Sequence, residues 1–177
     1  MSERTTAYDG TMERTAEGGV IRFERHLPYP IREVWAAITE PSRLAEWWLP
    51  FDADITIDLR EGGRMVLAGR GEDAPTMTLT IRRVEPPMLL EHTHVDDGSF
   101  MRWELEPTSD GCILRLTHVV PDPDIAVDNC YVVGLHTSLS RLRPCLAGTP
   151  VPWDWDTFAE AQSHYAARGL APEPAAG

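Results

Sequence analysis

Between Ala53 and Val120 the chain is cut at regular intervals by residues that cannot continue a helix or a strand. The cuts are Glu61-Gly62-Gly63, Gly71-Glu72-Asp73, Glu85-Pro86-Pro87, Asp96-Asp97-Gly98 and Ser109-Asp110-Gly111. Between them lie short segments rich in β-branched, aromatic and alternating apolar residues: Ala53–Arg60, Arg64–Arg70, Thr76–Val84, Met88–Val95, Ser99–Glu106 and Cys112–Val120. Turn chemistry recurring every ~8–12 residues predicts consecutive antiparallel strands. An earlier strand, Val20–Leu27, alternates in the same way, so seven strands are expected.

Helical spacing frames this meander. Ile31, Val34, Trp35 and Ile38 predict a short helix over Ile31–Thr39, and Pro41 opens a second over Ser42–Trp48. After Val120 the prolines Pro121 and Pro123 forbid further strand. Val132, Leu135, Leu139, Leu142 and Leu146 then recur at three- and four-residue steps, which predicts one long helix from an Asp124 N-cap to Leu146, its last turn kinked or ended at Pro144. The expected organisation is a polar leader (1–18), a main domain (19–148) and a tail (149–177) in which Trp153, Trp155, Phe158 and Tyr165 favour a short packed helix over Thr157–Arg168. The class is α+β: one antiparallel sheet with its apolar face covered by the long helix, an arrangement that leaves a cavity between them.

Composition narrows the function classes. With 42% hydrophobic and 25% charged residues, the 177-residue chain can bury a core without metal or disulfide. Sixteen basic against 28 acidic residues give a net charge of −12, which repels nucleic-acid backbones and anionic bilayers. No apolar run is long enough to span a membrane, so neither nucleic acid nor membrane insertion is expected. Cys112, Cys130 and Cys145 are too few and too odd in number for a disulfide framework. Cys130 and Cys145, placed on one helix, stand ~22 Å apart. A reducing, cytoplasmic setting is the expectation.

The run RFERHLPYPIREVWAAITEPSRLAEWW (22–48) resembles the opening of the START-like, or SRPBCC, superfamily, and more narrowly its bacterial branch named for the activator of the heat-shock-protein-90 ATPase. DLREGGRM (58–65), VEPPMLLEHTH (84–94), MRWELEPTSDGCILRLTH (101–118) and VGLHTSLSRLRPCLAG (133–148) fit the same branch, so the resemblance covers about 20–168. It implies a helix-grip fold, with seven curved strands around a long C-terminal helix and a hydrophobic cavity between. Relatives bind lipids, steroids, polyketides or plant hormones; some are aromatases or cyclases, and the eukaryotic namesake activates a chaperone. Two positions depart from the branch. Gly134-Leu135-His136 replaces a common Gly-Trp-His, and His94 replaces a common strand Trp. Both changes remove an indole from the expected cavity wall and leave it roomier or more polar.

Strand parity sorts the candidate site residues. Leu90, His92 and His94 share a face, as do Met101, Trp103 and Leu105, and Leu114, Leu116 and His118. The apolar faces must meet the helix, so His92, His94 and His118 are expected inward, while Glu91, Glu104 and Glu106 point outward. The expected lining is Trp35, Trp48, Met65, Met77, Leu90, His92, His94, Met101, Trp103, Leu116, His118, Asp128, Leu135, His136 and Leu139. The histidines admit two readings: a metal or acid–base group joined by His136, or rings bonded to protein or water in a polar cavity wall. Two histidines on one strand face and no Cys-x-x-Cys or His-x-x-x-His motif favour the second, and no bound metal, cofactor or catalytic residue is expected. Asp128 either pairs with the inward Arg25 or projects past the sheet into water. The function expected is binding of a small hydrophobic ligand by a monomer or homodimer. The alternatives are a cyclase, dehydratase or hydrolase acting in the same pocket, or a chaperone-cofactor role by analogy of family.

Overall fold

A computed structural model describes residues 8–176. Its elements follow the order β1 (Thr11–Thr15), β2 (Gly18–Leu27), α1 (Ile31–Thr39), α2 (Pro41–Leu44), β3 (Ala53–Ile57), β4 (Arg64–Gly69), β5 (Thr76–Glu85), β6 (Leu89–Thr93), β7 (Phe100–Thr108), β8 (Gly111–Val120), α3 (Pro123–Asp128), α4 (Tyr131–Leu146) and α5 (Trp155–Ala166). The strands form one antiparallel sheet in the order β1-β2-β8-β7-β6-β5-β4-β3. Every neighbour from β3 to β8 is also a sequence neighbour, as the regular turns require, and β2 closes on β8 at the far side.

The sheet has eight strands where seven were expected. The additional one lies in the segment taken for a polar leader, of which residues 1–7 lie outside the described residues. Thr11–Thr15 pairs antiparallel with β2, adds the surface ion pair Glu13–Arg22 at 3.0 Å, and is mostly exposed. A strand with no buried face carries no apolar alternation, and alternation is the sequence signal on which strands are recognised.

The long helix is two helices. α3 is capped by Asp122, whose carboxylate accepts from the Asp124 and Ile125 amides, two residues before the expected cap. It stops at Asp128, and α4 begins after Cys130, which adopts φ 57° in the left-handed region. Pro144 lies inside α4, which ends at Leu146. The second short helix is likewise reduced, to the four residues of α2.

The core faces one side of the sheet. Ile21, Phe23 and Leu27 of β2, Met101, Trp103 and Leu105 of β7, and Leu114 and Leu116 of β8 are buried together with Leu135, Leu139 and Leu142 of α4. On the opposite side the Glu91 carboxylate is buried between Arg82 and Arg102, at 3.2 and 2.6 Å. A desolvated carboxylate is tolerated there because two guanidiniums bracket it. α5 leans on α4 and is tied to the start of β1. The Tyr165 hydroxyl accepts the Gly10 amide at 2.8 Å, while Asp9 meets His164 and Arg168. Gly10 is required at this clasp, because a Cβ would stand 2.2 Å from the Phe23 ring.

Candidate functional site

Cross-strand register builds the site's base. Ile21, His118, Met101, His92 and Ile81 are successive partners across β2, β8, β7, β6 and β5, so their side chains form one row beneath α4. The sheet continues this surface through Leu79 and Met77 of β5 and Leu67 of β4. Tyr131, Gly134, Leu135 and Ser138 of α4 form the roof, and the segment Trp48–Phe51 forms a side wall. Trp153, Trp155 and Phe158 complete the enclosure; their rings meet edge-on or tilted, with centroids 5.4–6.1 Å apart. The cavity measures about 360 Å³ and opens to solvent. That is at the lower end of the range for small-molecule sites.

Two α4 side chains hold the walls in place. Ser138 Oγ donates to the Trp48 carbonyl at 2.8 Å. Arg141, buried, donates to the carbonyls of Glu46, Trp47, Leu49 and Val151 at 2.8–3.2 Å. A planar guanidinium can satisfy carbonyls from two separate segments at once, so this residue fixes residues 46–49 and 151 against each other. It lies outside the apolar stripe of the helix, and nothing in the sequence pattern marks it.

The three inward histidines differ in how they are satisfied. The His92 Nε2 accepts the Trp103 indole N–H at 3.0 Å, and its Nδ1 lies 2.8 Å from the Thr93 carbonyl. An indole only donates and a carbonyl only accepts, so His92 is neutral with its proton on Nδ1. Burial holds its pKa below the usual histidine value. His118 is 1% exposed, and among the described residues neither ring nitrogen has a hydrogen-bond partner. Its ring stacks on Tyr131 with centroids 5.5 Å apart, and the His94 ring stands 4.6 Å away, with Nδ1 also unpartnered and buried. Burial depresses His118 to about 3 and His94 to about 4, each lowered further by its histidine neighbours. Both rings are therefore neutral at pH 7. The Tyr131 hydroxyl donates to Asp96 at 2.5 Å, and burial with that carboxylate raises its pKa to about 12. The Trp153 Nε1 is a further buried donor without a partner among the described residues.

Of the residues expected to line the cavity, Trp48, Met77, His92, His94, Met101, His118 and Leu135 do so. Met65, Leu90, Trp103, Leu116 and Leu139 are instead buried in the surrounding core, and Trp35 packs partly buried against it. They share faces with the lining residues but lie at positions where the sheet, α1 and α4 meet in direct contact. Asp128 is exposed at the end of α3, since the break at Cys130 removes it from the α4 face. It makes no pair with Arg25, which is buried against the Tyr8 ring and donates to the Tyr8 carbonyl. His136 faces away from the cavity. Its Nδ1 takes a hydrogen bond from the Tyr165 hydroxyl at 2.8 Å, and burial with nearby Arg25 lowers its pKa to about 4. Sequence parity missed the walls supplied by Leu49, Pro50, Phe51, Cys130 and Trp153, which lie in loops and have no parity, and by Trp155 and Phe158 of α5, which strand alternation does not reach. The aromatic density of 153–158 was their one signal. Among the described residues no group of three or more His, Cys, Asp or Glu is placed to hold a metal ion. No helix among them is long and apolar enough to cross a membrane.

Comparison with known proteins places this geometry in a family. Solved structures share the fold. CalU16 from Micromonospora echinospora is 27% identical with a TM-score of 0.64 over 92% of this chain and 98% of its own. The protein encoded by BPP1335 of Bordetella parapertussis is 28% identical with a TM-score of 0.68 over the whole of both chains. EF2215 from Enterococcus faecalis, a conserved protein of unknown function, is 18% identical with a TM-score of 0.74 over 92% of this chain and 91% of that one, a likeness of fold. No curated protein matches. The model of the family described as Activator of Hsp90 ATPase homolog 1-like protein matches residues 28–147, and the chain belongs to that family, within the START-like group its sequence resembles.

Proposed function

We propose that this protein binds a small, largely apolar organic molecule in the cavity under α4, with α4 as the gripped helix of a helix-grip fold. The observation that carries this reading is the composition of the wall. Six aromatic side chains and an aliphatic sheet surface enclose about 360 Å³, and among the described residues the lining holds no Lys, Arg, Asp or Glu. An apolar concavity in an otherwise strongly acidic protein favours a ligand that the hydrophobic effect drives in. Trp48, Met77, His92, His94, Met101, His118 and Leu135 are the proposed contacts from the sheet, α4 and the 48–51 wall. The departures at His94 and Leu135 support the same reading, since both side chains occupy the cavity where relatives carry indoles.

The test uses N-phenyl-1-naphthylamine, whose fluorescence rises in apolar surroundings. Saturable binding at one site per chain is expected. Filling the cavity with His94→Trp and Leu135→Trp together should weaken that binding at least about tenfold, since the added rings occupy space the probe needs. Unchanged affinity in a folded double variant would remove the cavity as the site.

A further inference from the structure

Resting on the cavity reading, a second question is what polar group the ligand carries. The cavity is largely apolar, and its densest group of unpartnered polar atoms lies at one place. His118 presents one ring N–H and one ring lone pair, both buried and both without a partner among the described residues, and His94 Nδ1 is a third such atom. The two rings stand 4.6 Å apart at 66°, in edge contact, and both line the cavity, so they form one polar patch of its wall. Buried polar groups in native proteins are otherwise almost always bonded. The neighbouring His92 shows the contrast, with both nitrogens taken by protein groups.

We propose that the His94–His118 pair is the polar recognition element of the cavity, and that it selects an uncharged aromatic hydroxyl compound, a phenol, over both the bare hydrocarbon and the corresponding carboxylate. A hydroxyl both donates and accepts, and a pair of neutral imidazoles offers it one lone pair and one N–H. It also reproduces the bonds of any water it displaces, which a hydrocarbon does not. A carboxylate accepts only. It needs cations, and among the described residues the lining contains no Lys or Arg. An ammonium group needs a carboxylate, and the lining contains none. Asp96, beside the lining residue Tyr131, is taken by the Tyr131 hydroxyl. The aromatic part of the ligand is set by Trp48, Phe51, Trp153, Trp155 and Phe158, which offer ring faces and edges.

Three probes of one size separate the possibilities: 2-naphthol, naphthalene and 2-naphthoate, each measured at pH 7 by displacement of N-phenyl-1-naphthylamine. 2-Naphthol should bind about tenfold more tightly than either of the others. In His118→Phe and in His94→Phe the naphthol and naphthalene affinities should fall within about twofold of each other. Phe preserves ring shape while removing the donor and acceptor. Thermal melts establish that each variant is folded, and if one is not, the other carries the test. Naphthalene binding as tightly as naphthol would overturn the recognition role and leave the cavity reading standing. So would naphthoate binding tightest, or a naphthol preference that survives in both folded variants. Failure of N-phenyl-1-naphthylamine and all three probes to bind would overturn the cavity reading itself, and this inference with it.

Discussion

His92 and His118 line the same cavity, with Met101 between them in the row, yet they make opposite contributions to the folded state. His92 closes a chain from the Trp103 indole to the Thr93 carbonyl. His118 holds a donor and an acceptor away from water with nothing to meet them. Replacing His92 by Phe strands the Trp103 N–H and should cost about 1–3 kcal/mol. Replacing His118 by Phe removes two orphaned groups while keeping the ring against Tyr131, and should leave stability unchanged or raise it by about 1 kcal/mol. Urea denaturation of the two variants measures both, and the two changes are expected to have different signs or clearly different sizes. A protein that retains the costlier arrangement gains from it elsewhere, as residues at binding sites commonly do. Strand alternation alone places these rings inward, because a period of two leaves a side chain only two faces to choose from. It says nothing about which rings are satisfied. That depends on the Trp103 indole, a residue eleven positions from His92, and on the absence of any such neighbour beside His118.

At the scale of elements, the glycine of α4 shows how the cavity constrains its own roof. Gly134 lies in the helix and lines the cavity, and a Cβ added there would meet no atom within 4 Å. Gly134→Ala should therefore stabilise the protein by about 1 kcal/mol through helix propensity. The same methyl group projects into ligand space, so probe affinity should drop while the melting temperature rises. A Gly134→Ala variant that is neither more stable nor weaker in binding would contradict this account of the roof. The elements themselves are mostly legible in the sequence: α1 and the strands from β2 to β8 follow from breakers and alternation to within a few residues. The helix break was not legible. Val132 to Leu146 and the residues before them read as one amphipathic run, and Cys130 is not a residue type that announces a left-handed turn. Such a conformation costs a non-glycine residue ~1–2 kcal/mol and is set by tertiary packing. That break moves Asp128 out of the site, and the tight closure of sheet on helix turns Leu90, Trp103, Leu116 and Leu139 from lining into core.

For the whole molecule, four desolvated histidines, His92 and His118 buried and His94 and His136 partly so, set the acid limit. His94 and His136 are lowered to about 4 and His118 to about 3, and His92 is lowered as well, desolvation being the first cause in each. A histidine whose folded pKa is depressed stays neutral while the unfolded chain takes up a proton below ~6.5. Stability is then lost as pH falls from about 6.5 toward 4, at up to about 1.4 kcal/mol per pH unit for each ring. Urea midpoints should be nearly flat from pH 7 to 9 and fall steeply from pH 6 to 4.5, and His118→Phe should make that fall shallower by one ring's share. A midpoint independent of pH over the lower range would mean that these rings titrate freely in the folded state. The clasp at Gly10 and Tyr165 bears on folding in a different way. It joins positions separated by 155 residues. Closing a loop of that length on a flexible chain costs about 4–5 kcal/mol, several times the net gain from one hydrogen bond. The clasp cannot pull an unfolded chain together. It forms only after the sheet and α4 have already brought its two ends within reach, so it records that assembly is complete.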